Sequence, residues 1–419
     1  MDMSRSPLLL PTALIVYILA SRLALRWLRG PVREVIVAIL NVACVYLLFF
    51  SILNNDIEGR EGLLLFIEYF SMIILQYVLL RLFSDSPNRW LVWLPFFMPI
   101  VFLVLVRYAP STAWQAASGF FHALTGRFLA TPHVIGLSYM AFRCSYLVLE
   151  VRNGTVPKPG VWEYLSFSFF LPTMSLGPIN TYANFRRGFG AVAWDAPVGR
   201  SAFRCLVGGV KYYFLGGLCN QLTYGTWLLN NHPHHWFELP IAMVFYYFYL
   251  YCNFSGFCDM AIGAAGIMGI PVAENFNNPF AARNVKDFWN RWHITLSTYM
   301  RDIVFAPLSK CLVRSFPLAY ANHAIALTIT VVFLLVGVWH GVGWNYFIFG
   351  SLQALGVVSN HYYTIGIKKW LGREGFKAYT QSPWIRAVAI VLTFMYCAAS
   401  LMFFTNTLVQ LKQIFHVLR

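Results

Sequence analysis

Two histidines stand where an apolar chain has reason to avoid them. The first, His293, lies in DFWNRWHITLSTYMRD, residues 287–302. Read as a helix and stepped by three and four, this stretch places Lys286, Asn290, His293, Ser297 and Arg301 on one face. Trp289, Trp292, Leu296, Tyr299 and Ile303 fall on the neighbouring face. Polar groups one turn away on either side can hold the His293 ring in one tautomer. Asp287 reaches Arg291 at i+4, a pair worth ~0.2 to 0.5 kcal/mol on an exposed helix. By periodicity alone the same stretch is an interfacial helix, too charged to span and anchored by its tryptophans at the lipid headgroups.

The second histidine, His340, sits well inside TITVVFLLVGVWHGVGWNYFIFGSL, next to Trp339. An ionisable side chain inside a membrane span is costly and marks function by default. A neutral imidazole, whose ordinary pKa is near 6.5, can take the proton of a hydroxyl and so act as a general base. Gly341 and Gly343 would leave space beside the ring for a substrate.

The elements that must position these residues are membrane spans. The 419 residues are 58% hydrophobic and 11% charged, whereas soluble domains carry roughly 25% charged residues. Apolar windows of about 20 residues, enough to cross the hydrocarbon core, are expected at 8–27, 34–53, 62–82, 90–107, 133–150, 161–180, 203–229, 238–270, 323–349 and 384–406. Arginines at 22, 26, 29 and 33 follow the first window, where a signal peptide would show a small-residue cleavage site. They make it a span and place the following loop on the cytoplasmic side. Helix breakers interrupt FLPTMSLGPIN, FSGFCDMAIGAAGIMGIP and GVWHGVGW, and irregular backbone at membrane depth is tolerated where protein buries it or it lines a wet cavity. With no repeat and no long polar linker, one integral membrane domain is expected over 1–419. Within it, 1–130 reads as scaffold spans, 131–365 as the catalytic core and 366–419 as a C-terminal span.

The net charge of +15 is spread over the breaks between spans, which fits anionic lipid and the positive-inside rule better than nucleic acid. The eight cysteines, including Cys144, Cys258 and Cys397, form no Cys-x-x-Cys pair and read as core. His232, His234 and His235 in NNHPHHWFE have a metal-like composition but no fixed spacing with carboxylates, so no metal site is expected. Asp259, a carboxylate in an apolar run, is expected to pair with an arginine such as Arg301 or to orient a histidine.

With these residues assembled, the chain resembles the membrane-bound O-acyltransferase (MBOAT) family, in the bacterial branch of alginate O-acetyltransferases and D-alanyl-teichoic-acid acyltransferases. The matching stretches are GLSYMAFRCSYLVLEVRNG (136–154), SLGPINTYANF (175–185), YCNFSGFCDMAIG through MRDIVFAPL (251–308) and VGVWHGVGWNYFIFGSLQALG (336–356). The wording FSGFCDMAIG and RWHITLSTYMRD is close to the alginate and peptidoglycan O-acetylation enzymes. FAPLSKCLVRSFPL lacks the GGNR-type signature of the alginate group and is similar to the enzyme that moves D-alanine onto teichoic acids.

The resemblance implies an all-α, polytopic membrane protein, a ring of about 10 to 12 tilted transmembrane and re-entrant helices around a central tunnel. It implies an O-acyltransferase of the bacterial cytoplasmic membrane, with His340 and His293 as the catalytic pair. No tightly bound cofactor is implied. The donor would be a thioester on acetyl-CoA or an acyl carrier protein at the cytoplasmic side. The acceptor would be a glycan or an extracytoplasmic acyltransferase partner, with membrane lipid around the chain. Asn290, Trp289, Trp292, Ser297, Arg301 and Trp339 would shape the substrate site. The competing reading is a transporter or channel for a lipid-linked glycan with the histidines as proton relay, but this predicts similarly broken segments in both halves, and here they cluster in one.

Overall fold

The computed structural model describes residues 9–52, 60–88, 90–108, 136–189, 197–230 and 234–418. Among these, extended pairing is confined to two isolated bridges and the rest is helix and connection. Five helices are long and apolar enough to cross a membrane: Gly30–Phe50, Gly62–Phe83, Glu238–Met268, Leu318–His340 and Pro383–Thr405. The chain is thus a multi-pass, all-α membrane protein. It forms two compact units, Met1–Gly208 with Phe257–Ala273, and Gly209–Gly256 with Glu274–Arg419.

The first unit contains α1 (Leu9–Trp27), α2 (Gly30–Val45), α3 (Arg60–Phe83), α4 (Trp93–Tyr108), α5 (Leu137–Arg152), α6 (Val161–Ser168), α7 (Tyr182–Phe189) and α8 (Val198–Gly209). The span expected at 161–180 does not form. Helix α6 ends at Ser168, a single 3₁₀ turn follows at Leu171–Thr173, and irregular backbone carries the chain to α7. Pro172 and Pro178 lack the N–H that a helix needs. Arg143 of α5, fully buried, serves the broken segment by donating to the Ser168 carbonyl at 2.8 Å and to Thr173 Oγ1 at 3.0 Å. Its guanidinium also lies over the Phe167 ring at 5.5 Å. Asp259 binds Arg204 of α8 at 2.9 Å, and Arg301 binds its neighbour Asp302 at 2.9 Å.

The second unit begins with a π-helical turn (Val210–Leu215), α9 (Gly216–Asn220) and a second π turn (Tyr224–Leu228). These pieces, separated by a turn at residues 221–223, replace the continuous span expected at 203–229. Then come α10 (Glu238–Met268, of which the part through Gly256 belongs here), α11 (Val285–Trp289), α12 (Ile294–Met300) and α13 (Ala306–Ser315). The unit closes with α14 (Ala321–His340), α15 (Trp344–Gln381), α16 (Pro383–Thr405) and α17 (Leu408–Val417).

Helices α14 and α15 pack antiparallel through glycines. A Cβ on Gly337 would lie 2.5 Å from the Tyr346 carbonyl oxygen, and one on Gly350 would lie 2.6 Å from that of Phe333. Small residues allow this backbone approach in apolar surroundings, where dispersion between close helices replaces the hydrophobic effect. Helix α15 bends at Gly372, whose φ of 65° an L side chain rarely adopts.

Candidate active site

The stretch around His293 is two helices, not one. Helix α11 ends at Trp289, and His293 itself takes the left-handed conformation, φ 46° and ψ 52°, before α12 begins. A non-glycine residue held there costs about 1 to 3 kcal/mol, so the surroundings must over-determine it. They do so through the segment 275–277, which runs antiparallel to 291–295. Asn277 N–H donates to the Arg291 carbonyl at 2.9 Å, Phe276 bridges to Trp292, and Ile294 N–H donates to the Asn275 carbonyl at 3.0 Å. Oδ1 of Asn275 also receives Thr295 N–H at 3.2 Å, Thr295 Oγ1 at 2.9 Å and lies 3.1 Å from His293 Nδ1.

This cross-chain pairing defeats the helical periodicity. The polar neighbour of His293 is Asn275, remote in sequence, instead of the expected Asn290 and Ser297. Ser297 instead donates to the Trp289 carbonyl at 2.9 Å, spanning the break from the other side. The Asp287–Arg291 ion pair forms as expected, at 2.8 Å.

His293 is 3% exposed, with Phe254 edge-on at 4.8 Å and Trp339 at 6.3 Å between ring centroids. Burial, reinforced by the charge of nearby His340, lowers its pKa to about 3, so it is neutral at physiological pH. His340 is the last residue of α14, not an interior position of a span over 323–349. The chain leaves the helix at Gly341 and re-enters one at Trp344. Half-buried, its ring faces Trp339 at 4.5 Å, Phe404 at 4.8 Å and Phe349 at 6.0 Å. The space beside Gly341 is not open either: a Cβ there would run into the Tyr346 ring, so the glycine seats that tyrosine. Trp292 belongs to an aromatic core, with Phe276 at 5.0 Å, Phe288 at 5.5 Å and Tyr247 at 5.8 Å.

Four of the expected substrate residues, Trp289, Asn290, Ser297 and Arg301, line a cavity of about 700 Å³. One wall is α14 from Ile325 to Val336, roughly 16 Å at 1.5 Å per residue. Val336 lies one turn before His340. Lys286, His361 and Lys368 also line this cavity. The cationic set Lys286, Arg301 and Lys368 suits an anion, while Phe333, Val332 and Ile329 suit an uncharged extended body. Burial, together with Lys286, lowers the pKa of His361. A second cavity, of about 780 Å³, lies beside α16 and is bordered by Tyr363, Tyr379 and Trp384; neither His293 nor His340 lines either cavity.

In the histidine-rich loop, His234 pairs with Glu238 at 2.6 Å and its backbone N–H donates to the Val417 carbonyl, while His235 stacks on Phe237. His232 lies outside the described residues. Among the described residues no group of three or more His, Cys, Asp and Glu is placed to hold a metal ion. Sequence reasoning placed Lys286 on the polar face but missed Asn275, Gln353 and Lys368. Asn275 left a signal in ENFNNPF, where three asparagines fall within four residues just beyond an apolar helix and Pro271.

Comparison with known proteins follows the same residues. The model of the membrane-bound O-acyltransferase family (MBOAT) matches residues 90–405. A teichoic acid D-alanyltransferase of Streptococcus thermophilus is 29% identical over 352 residues, covering 80% of each chain. That of Bacillus subtilis is 30% identical over 62% of this chain and 65% of its own. A probable alginate O-acetylase of Pseudomonas aeruginosa is 28% identical over 53% of this chain and 41% of its own.

Proposed function

Since the chain belongs to the membrane-bound O-acyltransferase family and is an O-acyltransferase, we propose that it moves D-alanyl groups from a thioester donor to hydroxyls of a teichoic-acid-type polymer. Two histidines packed around Trp339, one turn beyond a cavity with cationic lining, are the observation that carries this reading. The acyl group is assigned from coverage. The D-alanyl relative aligns over 80% of both chains, whereas the alginate relative aligns over 53% and 41%.

In this mechanism the donor is carried by an acyl carrier protein or coenzyme A at the cytoplasmic face of a bacterial cytoplasmic membrane. Its anionic arm pairs with Lys286, Arg301 and Lys368, and its extended part follows α14 toward His340. His340 takes the proton of the acceptor hydroxyl as the oxygen attacks the thioester carbonyl. The carbon–sulfur bond then breaks, and the proton passes from His340 to the departing thiolate. His293 orients one reactant. General-base catalysis contributes about 10² to 10⁴ in rate, and fixing both reactants in a water-poor site supplies much of the rest. The acceptor hydroxyl arrives from the extracytoplasmic side, on the polymer itself or on a partner protein that relays the acyl group.

The test uses membranes containing the full chain, labelled D-alanyl and acetyl thioesters of coenzyme A and of carrier protein, and teichoic acid as acceptor. Transfer of D-alanyl in preference to acetyl, reduced at least 100-fold by His340→Ala, is the expected result. Preference for acetyl overturns the acyl assignment. If His340→Ala transfers at the wild-type rate yet blocks glycan movement across the membrane, the chain is a transporter.

A further inference from the structure

The amide of Asn275 has only one orientation that its neighbours permit. Thr295 N–H is an obligate donor and points at the atom placed as Oδ1, so that atom is the oxygen. The nitrogen end of the amide would face a second hydrogen and break the contact. Since an amide oxygen only accepts, the group 3.1 Å away, Nδ1 of His293, must donate to it. We propose that Asn275 is a positioning residue that fixes His293 as the Nδ1–H tautomer, so that Nε2 presents a lone pair and His293 orients the acceptor through an O–H or N–H beside the reacting hydroxyl, not the thioester carbonyl.

The distinction is chemical. A thioester carbonyl oxygen needs a hydrogen-bond donor, which an Nδ1–H imidazole lacks at Nε2. A polar O–H or N–H of the acceptor beside the reacting hydroxyl can donate to that lone pair, which leaves the one proton of the attacking hydroxyl for His340. The role in transfer rests on the acyltransferase reading above; the tautomer does not. Two further observations fix the geometry. Asn275 is 1% exposed, so water does not compete for its oxygen, and its backbone carbonyl independently receives Ile294 N–H at 3.0 Å. The ring and the amide are therefore held from both sides of the left-handed residue. Burial of His293 also keeps the ring neutral across the working pH range, so the two tautomers are the states to be chosen between.

The test has a spectroscopic and a kinetic part, both on the full chain in membranes. Nitrogen NMR of histidine-labelled protein, with the His293 signals identified by their loss in His293→Asn, is expected to show a protonated Nδ1 and a bare Nε2. Asn275→Asp keeps an acceptor and is expected to keep the tautomer while His293 protonates at higher pH than in wild type, because a carboxylate favours the imidazolium. Asn275→Leu is expected to mix the tautomers, lower kcat or raise the KM for teichoic acid by roughly 10-fold or more, and leave the KM for the D-alanyl thioester within twofold. A protonated Nε2 in wild type, an unmoved titration in Asn275→Asp, or a change in Asn275→Leu confined to the thioester KM would each overturn the proposal. If the tautomer is as stated but His293→Asn and His340→Ala both transfer at the wild-type rate, the acyltransfer role falls and the tautomer assignment stands.

Discussion

The indole N–H of Trp289 donates to Oε1 of Gln353 at 3.0 Å, with both side chains buried. Gln353 Nε2 donates onward to Ser400 Oγ at 2.6 Å, and Ser400 donates to the Cys397 carbonyl at 2.8 Å. One buried amide thus joins α11, which leads into the site, to α15 and α16. Removing a partner from such a chain leaves a buried polar atom unsatisfied, at about 1 to 3 kcal/mol. Gln353→Leu, close in volume, is expected to lower the thermal midpoint of the detergent-solubilised protein and to reduce transfer. Trp289→Phe should do the same through the opposite partner. The double variant should lose less than the sum, because the two residues share one bond; strict additivity would show that the bond does not couple them.

The glycine contact between α14 and α15 sets where His340 ends up. Methylation of Gly350 puts a carbon 2.6 Å from the Phe333 carbonyl oxygen, well inside contact distance, and backbone cannot rotate away as a side chain can. Gly350→Ala is expected to cost about 1 to 3 kcal/mol as overpacking and to reduce transfer by moving the end of α14. Gly366→Ala, on the same α15 helix with open space around its Cβ, is the control and should leave transfer unchanged. Equal behaviour of the two variants in a thermal melt and a transfer assay would remove the contact from the argument.

Cationic residues at the cavity predict a donor effect that salt can read. Lys286→Glu and Lys368→Glu are each expected to raise the KM for an anionic thioester several-fold, with kcat nearly unchanged, since they bind ground state and transition state alike. The effect should shrink as ionic strength rises, because exposed charges are screened over about 10 Å at 0.1 M salt. A lowered kcat at constant KM in either variant would place the lysine among the reacting groups instead.

The helical class and the exceptional position of His340 were legible because they rest on composition and on an ionisable group in an apolar run, which are local facts. Asn290, Ser297 and Arg301 share one cavity as their spacing suggested, and Trp289, which the spacing put on the neighbouring face, lines it too. The break at His293 was not legible. Period and propensity favour continuing the helix from Trp289 to Ser297, and what ends it is the pairing of 291–295 with 275–277, a non-local contact. At His340 the glycines of GVWHGVGW were a visible sign of a break, but the expected span over 323–349 ran through it; Tyr346 seated against Gly341 marks where the chain leaves the helix. The breaks at Pro172 and Pro178 were visible as prolines, but the residue that satisfies them, Arg143, lies in another helix and carries no local sign of that task.

A buried neutral histidine makes folding stability depend on pH with a definite sign. The pKa of His293 is lowered from its ordinary value near 6.5 to about 3 by burial and by His340. The unfolded chain therefore binds a proton that the folded chain refuses, and the stability contributed is full above pH 6.5 and is lost as pH falls from about 6.5 toward 3. His293→Asn tolerates the left-handed backbone, since asparagine visits that region more readily than most residues, and it does not titrate. Wild type is expected to lose thermal stability relative to His293→Asn as the pH is lowered from 7 to 4.5. The gap in midpoint between the two should shift steadily over that interval, with other titrating groups cancelling in the difference. A gap that stays constant would mean that His293 titrates in the fold as in the unfolded chain, and a gap that shifts the other way would mean that it is held protonated in the fold; either would contradict the closed, apolar environment formed by Phe254 and Trp339.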